Sequence, residues 1–358
     1  MMISDLTPDL LEEILCRVPS TTLCRLRSTC RRWNSLVKDQ RFTEKQFRKA
    51  PKQFQVLMLK ENKFCPMSVN LKVAPPSIEV KGAVGLHYNL EQVDITQVLH
   101  CGGLLLCFTN NNRLVVWNPC LGETRWIQPK TTGYSSNFAL GYQKNKSYHS
   151  YKILRCRHDF QLNNTSEIYE FGSDSWRVRD DIALDCKLTL PNQVSSQGNT
   201  FWLAEDRIFK NKRFVLSFDF TTERFKRFSL PKNPPSIMSL SVVREEQLSV
   251  LSMHCFVSNK MQVWVSDKID NEAVALSWSK SFKVDFQAID RRFQSFMVDE
   301  EKKVVLCCDS CPWISSMVYT FGEDFDSYTE TPYVQSMQLD FPPFIFSYVP
   351  SLVHIQQD

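Results

Sequence analysis

The side chains that could perform covalent or metal chemistry are scattered along this sequence. It has 13 cysteines and six histidines in 358 residues, but only Cys308 and Cys311 have the C-x-x-C spacing of a zinc ligand pair. A tetrahedral site needs two further ligands at similar spacing, and the nearest candidates, His254 and Cys255, lie far upstream. We therefore expect no metal site, and we interpret most of the cysteines as buried, unreactive thiols.

Motifs for catalysis or cofactor binding are also missing from the sequence. It contains no Gly-rich phosphate loop, no G-x-S-x-G nucleophile elbow and no H-E-x-x-H zinc motif. His158 and Asp159 could form an acid–base pair, but they stand in a polar segment that offers no nucleophile. The sequence therefore predicts no catalytic residues and no cofactor.

Composition indicates a globular protein. Hydrophobic residues make up 43% and charged residues 23% of the chain, and no apolar run reaches the ~18 residues of a membrane span. Asp5 and Asp9 stand where a secretory signal would have basic and apolar residues. We therefore expect a location in the cytoplasm or nucleus, reduced thiols and no membrane association.

Positive charge is concentrated near the N-terminus. The formal net charge is +4, and residues 1–50 hold ten Lys/Arg against six Asp/Glu. The bases from Arg25 to Lys49 could contact phosphate groups or an acidic protein surface. A solvated helix face explains the same pattern, since bases near a helix end oppose the helix dipole.

The first 45 or so residues have helical periodicity. Thr7 and Pro8 predict the start of a helix, as N-cap and first helical residue. Apolar residues then repeat at helical spacing: Leu10, Leu11, Ile14, Leu15 and Val18. Pro19 ends this helix, Ser20 or Thr21 is predicted to cap a second, and a third short helix follows. So small a module cannot bury this many apolar side chains by itself, and the excess must pack against another domain or protein.

From about residue 50 the pattern changes to short alternating strands separated by turns, which predicts an all-β fold. In five segments an apolar strand and a short polar turn are followed by an aromatic residue that begins the next strand. These aromatic residues recur about every 50 positions: Trp126, Trp176, Phe225, Trp278 and Tyr328. The tryptophans, with Trp117, are interpreted as core residues that hold adjacent sheets together.

A period near 50 is typical of a kelch-like propeller blade, a four-stranded sheet that cannot bury both faces alone. Residues 52–80 are predicted to supply most of a further blade. The strand at residues 344–348 is predicted to pair with it and close the ring, which removes an exposed edge. We expect about six blades, and the spacing also allows five or seven.

Fixed patterns of residues connect the N-terminal part to a known family. They are the run Asp5-Leu6-x-Pro8 to Pro19, the segment Leu23-x-Arg25-x-Arg27 and the segment from Cys30 to Leu36. Together, residues 4–45 resemble an F-box of the plant type, with Thr7 standing where the family usually has a proline directly after the first leucine. The resemblance implies binding to a SKP-family adaptor and, through it, to a cullin. The residues expected in the adaptor contact are Leu6, Pro8, Leu10, Leu11, Ile14, Leu15, Val18, Leu23 and Leu26, whereas Cys30 and Trp33 are expected to pack inside the module.

Three further segments carry a second resemblance. They are His-Cys-Gly-Gly-Leu-Leu-Leu-Cys at 100–107, the strand and turn at 114–126 that include Asn118-Pro119 and Gly122-Glu123, and Tyr-Val-Pro-Ser-Leu-Val at 348–353. They are similar to the plant F-box-associated interaction domain. This resemblance implies recruitment of a target protein for ubiquitylation.

The predicted architecture is α+β and multidomain, with a three-helix F-box in residues 1–47 and a mostly-β, kelch-like propeller in residues 48–358. The resemblances imply a non-catalytic substrate-recognition subunit of a cullin-based, SCF-type ubiquitin ligase that holds an unknown target close to the conjugating enzyme. Candidate target loops are residues 130–137, 158–164 and 206–212. Two alternatives stay open: a nucleic-acid-binding protein that uses residues 25–49, and a propeller enzyme with a site in its central channel.

Overall fold

The protein begins with helices and continues as β-sheet. The structure is a computed structural model and describes residues 6–70, 77–84, 86–88, 91–129, 136–144, 148–157, 166–179, 181, 184–209, 212–231, 237–254, 260–270, 274–285, 293–309, 317–322, 329–332 and 343–355. The helices, together called the helix module, are α1 (Pro8–Leu15), α2 (Ser20–Leu26), α3 (Arg31–Lys38) and α4 (Gln40–Lys49).

The predicted start of α1 is confirmed, and the later helix boundaries differ from the prediction. Thr7 caps α1, and its side chain accepts a hydrogen bond from the backbone N–H of Leu10. At the start of α2 the N-cap is Pro19, without a side-chain hydrogen bond, so the prediction of a Ser20 or Thr21 cap was wrong. The hydroxyl of Ser20 instead hydrogen-bonds to the side chain of Gln46, 3.4 Å away.

The described part of the module has four helices rather than the predicted three. Asp39 has an extended backbone, which ends α3, and its carboxylate then accepts hydrogen bonds from the N–H groups of Arg41 (2.7 Å) and Phe42 (3.2 Å). A carboxylate that binds two otherwise unpaired N–H groups begins a new helix. The apolar pattern runs across this break, which is why periodicity alone merged α3 with α4.

Among the described residues, six four-stranded sheets confirm the propeller and its blade number. Blade I contains β1 (Gln55–Lys60), β2 (Lys63–Asn70) and β3 (Ser77–Val80), and a hairpin of β4 (His87–Tyr88) and β5 (Glu91–Gln92) follows it. Blade II contains β6 (Ile95–Cys101), β7 (Leu104–Thr109), β8 (Leu114–Asn118) and β9 (Glu123–Ile127). Blade III contains β10 (Ser136–Lys144), β11 (His149–Arg157), β12 (Ser166–Glu170) and β13 (Ser175–Arg179).

The remaining three blades repeat the same plan. Blade IV contains β14 (Cys186–Ser196), β15 (Asn199–Asp206), β16 (Arg213–Asp219) and β17 (Arg224–Phe228). Blade V contains β18 (Ile237–Val243), β19 (Gln247–His254), β20 (Lys260–Ser266) and β21 (Trp278–Asp285). Blade VI contains β22 (Phe293–Asp299), β23 (Val304–Asp309), β24 (Met317–Gly322) and β25 (Thr329–Pro332).

The last strand of the chain completes the first blade. β26 (Phe344–Tyr348) pairs beside β1, so that the sheet order is β26-β1-β2-β3. The predicted pairing of residues 344–348 with this blade is therefore confirmed. Because blade I is built from both ends of the β region, it has four strands although its first segment supplies only three.

Four of the five repeating aromatic residues lie on the fourth strand of a blade. The indole N–H of Trp176 in β13 donates to the carbonyl of Gln128, the residue after β9, at 3.1 Å. Trp278 in β21 donates in the same way to Ser229, the residue after β17, at 2.8 Å. Each indole thus joins a blade to the preceding one, which gives the ~50-residue repeat its physical cause. The fifth, Tyr328, lies outside the described residues.

Contacts divide the chain into two compact units. One comprises residues 1–55, 98–181 and 348–358, and the other comprises residues 56–97 and 182–347. The first holds the helix module, most of blade II, blade III and the C-terminal residues. In this unit the facing sides of blades II and III form one core that includes Leu106, Val116, Ile153 and Trp176. None of the described helices has the length and hydropathy that crossing a bilayer requires.

We predict that Trp176→Phe destabilises the protein by about 1–2 kcal/mol, because the ring stays buried while the carbonyl of Gln128 loses its donor. Trp176→Ala should cost about 3–5 kcal/mol, since it also leaves a cavity. The free energy of unfolding, measured in urea, tests both values. Trp278→Phe makes the same change in the second unit and should cost a similar amount. A neutral Trp176→Phe would show that the hydrogen bond contributes nothing to stability.

Candidate functional site

Helix α1 presents apolar side chains on two different sides. Leu11 and Leu15 are only 3% and 6% exposed, whereas Leu10 and Ile14 are 49% and 45% exposed. Consecutive residues of a helix are separated by about 100°, so the pair at positions 10 and 14 and the pair at positions 11 and 15 form two separate rows. The apolar residues that form one broad stripe in the sequence therefore belong to two surfaces of α1, one buried and one exposed.

The buried row packs against the chain's own propeller. Leu11 and Leu15 share a core with Leu121, from the turn between β8 and β9, and Leu352, near the C-terminus. The guanidinium of Arg27 donates to the carbonyl of Leu121 at 3.0 Å. The excess apolar surface predicted for the module is thus partly covered within the same chain.

The nine residues expected in the adaptor contact fall into three groups. Pro8, Leu10 and Ile14 are exposed, and Leu6, Val18 and Leu26 are half-buried against the core. Leu11, Leu15 and Leu23 are buried in that core. For these three the expectation of a free surface needs correction, because helical spacing shows that residues share a row but not which neighbour covers it. Trp33 packs against the core as expected, whereas Cys30 is exposed rather than internal.

Ion pairs join α1 to α4. The carboxylate of Glu13 lies 2.7 Å from the ammonium of Lys49, 3.0 Å from that of Lys45 and 3.0 Å from the guanidinium of Arg17. These three hydrogen bonds lower the pKa of Glu13 to about 2. Lys45 also contacts Glu12 at 2.8 Å. The pairs are solvent-accessible, so they orient the helices more than they stabilise them.

Asn118 connects the helix-facing turn to the C-terminal residues. Its side chain is fully buried. The amide oxygen accepts hydrogen bonds from the N–H groups of Cys120 (2.9 Å) and Leu121 (3.3 Å). The amide nitrogen donates to the carbonyls of Ser351 (3.2 Å) and Val353 (2.7 Å). One side chain thus fixes two of the propeller segments that contact the module.

The Gly-Gly turn between β6 and β7 lies against the same C-terminal segment. Gly103 has φ +86°, and a Cβ there would lie 2.1 Å from the hydroxyl oxygen of Ser351 and 2.9 Å from its backbone nitrogen. Ser351 donates to the carbonyl of Gly102 at 2.9 Å. A side chain at residue 103 would therefore displace the C-terminal segment as well as strain the backbone.

Two His–Glu pairs link the module to the propeller. Glu44 of α4 accepts hydrogen bonds from the backbone N–H of His149 (2.7 Å) and contacts its Nδ1 (2.6 Å), and both side chains are about 90% buried. In the second pair, Nδ1 of His354 lies 2.6 Å from Glu123, and Nε2 lies 2.8 Å from the carbonyl of Val37 in α3.

The partners of His354 favour its charged form. A carboxylate and a backbone carbonyl both only accept hydrogen bonds, so both ring nitrogens must carry protons. The hydrogen bond with Glu123 raises the pKa of His354, although burial opposes the shift. Burial raises the pKa of Glu123, but hydrogen bonds from His354 and from the N–H of Ile355 outweigh it, and the pKa is lowered.

A cavity of about 260 Å³ lies beside these two pairs. Its lining includes Lys38, Glu44, His149, Tyr151 and His354. This volume is slightly below the range of about 300–1,000 Å³ that is usual for small-molecule sites. Within the described ranges no three His, Cys, Asp or Glu side chains are grouped to hold a metal ion. Cys311 of the C-x-x-C pair and the His158–Asp159 pair lie outside those ranges.

Sequence reasoning missed the polar residues that hold the module in place. In the sequence, Asn118 and Glu123 stand out only as parts of a family pattern. The available signal for Asn118 was the Asn-Pro turn, since Asn side chains in turns often bind nearby backbone groups. His354 lies just beyond the C-terminal pattern. Glu44 and His149 stand 105 positions apart, and no pattern in the sequence connects them.

We predict that Asn118→Ala destabilises the protein by about 2–4 kcal/mol, because it leaves two carbonyls and two N–H groups without their partner in a buried place. Urea unfolding tests the value. Asn118→Asp should be similarly destabilising, since it retains the acceptor but sets a carboxylate against the carbonyls of Ser351 and Val353. Gln128→Ala, which removes an exposed carboxamide directly after β9 of the same blade, should change stability by less than about 0.5 kcal/mol.

We predict that the stabilising effect of His354 depends on pH. Its pKa is raised on folding, so its contribution is complete below about pH 6.5 and is lost as pH rises through the folded-state pKa. The melting temperatures of the wild type and His354→Gln should therefore differ most near pH 6. The corresponding difference in the free energy of unfolding is about 1–3 kcal/mol, which is typical of a charged hydrogen bond. The difference should shrink at alkaline pH. A difference in melting temperature that is constant from pH 6 to pH 9 would contradict the charged form of His354.

Comparison with known proteins agrees with this geometry. The family model "F-box domain" matches residues 3–45, and "F-box associated beta propeller domain" matches residues 55–355. An F-box/kelch-repeat protein of Arabidopsis thaliana is 52% identical over 372 residues, which cover 100% of this chain and 98% of the relative. An F-box protein of the same species is 54% identical over 326 residues, which cover 86% of this chain and 93% of the relative. The chain belongs to the F-box proteins that carry an F-box associated β-propeller domain.

Proposed function

We propose that this chain is the substrate-recognition subunit of an SCF-type, cullin-based ubiquitin ligase. The helix module binds a SKP-family adaptor, which binds the cullin, and the propeller holds the target protein. The observation that carries the proposal is the exposed row of Leu10 and Ile14, next to the exposed Pro8, on a helix whose other apolar row is buried.

The exposed row is suited to a protein partner. Single exposed leucines are ordinary on a protein surface, but Leu10 and Ile14 are neighbours one helical turn apart and form a continuous ridge. Full burial of each side chain contributes about 1.5–3 kcal/mol before the costs of association are subtracted. The half-buried Leu6, Val18 and Leu26 extend the apolar surface at its borders.

The propeller contributes proximity rather than chemistry. A target bound on a rigid β scaffold is held near the conjugating enzyme, so that ubiquitin transfer occurs at a high effective concentration. In this proposal the chain has no catalytic residue, no cofactor and no metal of its own. The reaction belongs to the other subunits of the ligase.

Nucleic-acid binding through residues 25–49 is the less favoured function. Lys45 and Lys49 are paired with Glu12 and Glu13, and Arg27 is hydrogen-bonded to the carbonyl of Leu121. These three bases are therefore partly engaged within the chain. Binding to phosphate would weaken steeply with salt, whereas burial of Leu10 and Ile14 would not.

One loop of blade IV is suited to target recognition. The side chains of Ile208 and Phe209 at its tip are 82% and 67% exposed. Asp206 fixes this tip, because its carboxylate accepts hydrogen bonds from the N–H groups of Ile208 (2.9 Å) and Phe209 (3.1 Å). We propose that this part of the predicted 206–212 loop contacts the target. Of the other two candidate loops, residues 130–135 and 158–164 lie outside the described residues.

We predict that Leu10→Asp/Ile14→Asp weakens binding of the full chain to a SKP-family adaptor at least about 100-fold, because two buried aliphatic contacts are lost. Isothermal titration or a quantitative pull-down at two salt concentrations measures the effect. The wild-type affinity should change little with salt. Leu15→Asp is unsuitable as a test, since Leu15 lies in the core and its replacement would unfold the module.

Val178→Asp is the matched control, because Val178 is 53% exposed on β13 of the propeller. This variant should bind the adaptor as the wild type does. Equal binding by the double variant would refute the proposed surface. Salt-sensitive binding to RNA or DNA, without adaptor binding, would support the nucleic-acid function instead.

We predict that Ile208→Ser/Phe209→Ser keeps adaptor binding but stabilises the target, because the apolar tip of the loop is removed. Quantitative proteomics of cells that express the wild type or this double variant should show a set of proteins that accumulates with the variant. Val274→Ser is the control, since Val274 is 88% exposed on another loop. The same protein levels for all three forms would exclude the loop from target binding.

A further inference from the structure

Two cysteines from the module and the propeller are in contact. Cys24 lies on α2, and Cys120 lies in the turn between β8 and β9. Both side chains are half-buried and unbridged, and both pack against the same apolar core. They lie about 100 residues apart in the chain, so only the packing of α2 on the propeller brings them together.

The turn directs Cys120 toward the helix. Asn118 holds the N–H group of Cys120 at 2.9 Å. The Sγ atom of Cys120 then lies 3.8 Å from the carbonyl oxygen of Ser20, which is one helical turn before Cys24 on α2. The sulfur of Cys120 is thus placed on the stretch of α2 that carries Cys24.

Two cationic groups and the carboxylate of Glu123 lie near this pair. Arg27, on the next turn of α2, donates to the carbonyl of Leu121, the neighbour of Cys120. His354, held by Glu123 and by the carbonyl of Val37, is also close to Cys24. A half-buried thiol beside cationic groups and a second thiol is the usual environment of a reactive cysteine.

The two thiols differ in acidity. The hydrogen bond from Cys120 lowers the pKa of Cys24 against the effect of burial, and Arg27 and His354 lower it further. The same hydrogen bond and burial raise the pKa of Cys120. Burial raises the pKa of Cys107 and Cys307, which lie in the propeller core. Among the described cysteines with a shifted pKa, Cys24 alone is made more acidic.

We propose that Cys24 and Cys120 form a reversible disulfide under peroxide, which fastens the helix module to the propeller. The thiolate of Cys24 attacks one oxygen of hydrogen peroxide and breaks the O–O bond. The hydroxide that leaves takes up the proton released by the thiol, which gives a sulfenic acid and water. The sulfur of Cys120 then displaces the hydroxyl group of the sulfenic acid, and a second water leaves. Two thiols and one H₂O₂ thus yield one disulfide and two waters, and two electrons pass from the sulfurs to the peroxide.

The bond would act where the module already rests on the propeller. Cys24 and Cys120 both pack against the core that contains Leu11, Leu23 and Leu352. A crosslink that closes a loop of this length restricts the unfolded chain strongly. It would hold α2 on the β8–β9 turn and prevent the module from separating.

Mass spectrometry of the full-length protein tests the proposal. The reduced chain is treated with hydrogen peroxide, blocked with N-ethylmaleimide and digested with trypsin without reduction. Cleavage after Arg17, Arg25, Arg113 and Arg125 releases residues 18–25 and 114–125, each with a single cysteine. We expect these two peptides to be joined in most molecules and to separate on treatment with dithiothreitol. The melting temperature should rise by at least about 2 °C on oxidation.

Matched variants separate this disulfide from general oxidation. Cys24→Ser and Cys120→Ser should each abolish both the joined peptide and the rise in melting temperature. Cys30→Ser, which removes an exposed thiol of the same module, should leave both unchanged. If Cys30 is oxidised while residues 18–25 and 114–125 remain separate, the proposal is refuted. It is also refuted if Cys24 is joined to other cysteines as often as to Cys120.

Discussion

The buried amide of Asn118 is the interaction on which the arrangement of the module depends. A primary amide has two donors and an acceptor oxygen with two lone pairs, and here the described contacts use both ends. One end fixes the turn that carries Cys120 and Leu121, and the other fixes the C-terminal segment. Both segments contact the helices, so a single side chain positions two parts of the surface that receives them.

Charged hydrogen bonds add direction to this apolar contact. Leu11 and Leu15 give the contact with the propeller its area, but apolar burial alone specifies orientation poorly. Glu44 with His149, and Glu123 with His354, require defined distances between α3 or α4 and the blades. The apolar core therefore supplies the attraction between the module and the propeller, and the polar pairs fix the orientation of the helices.

The sequence was sufficient for the repeating part of the fold and insufficient for the contacts between its parts. The ~50-residue spacing of Trp126, Trp176 and Trp278 predicted the blades, and two of these indoles, Trp176 and Trp278, make the same hydrogen bond to the preceding blade. The boundary between α3 and α4 was missed because Asp39 interrupts the backbone but not the apolar pattern. The adaptor residues were only partly anticipated: the stripe on α1 was visible, but which row faces inward depends on Leu121 and Leu352, which are distant in sequence.

The position of Leu352 and His354 has a consequence for biosynthesis. The helices leave the ribosome more than 300 residues before Leu352, which completes their core. At about 5–20 residues per second, Leu11 and Leu15 wait tens of seconds for this cover. During translation the buried row of α1 is therefore covered only by the other helices, such as at Leu23, Val37 and Phe42, and an early partner or a chaperone would shield the rest of its apolar surface.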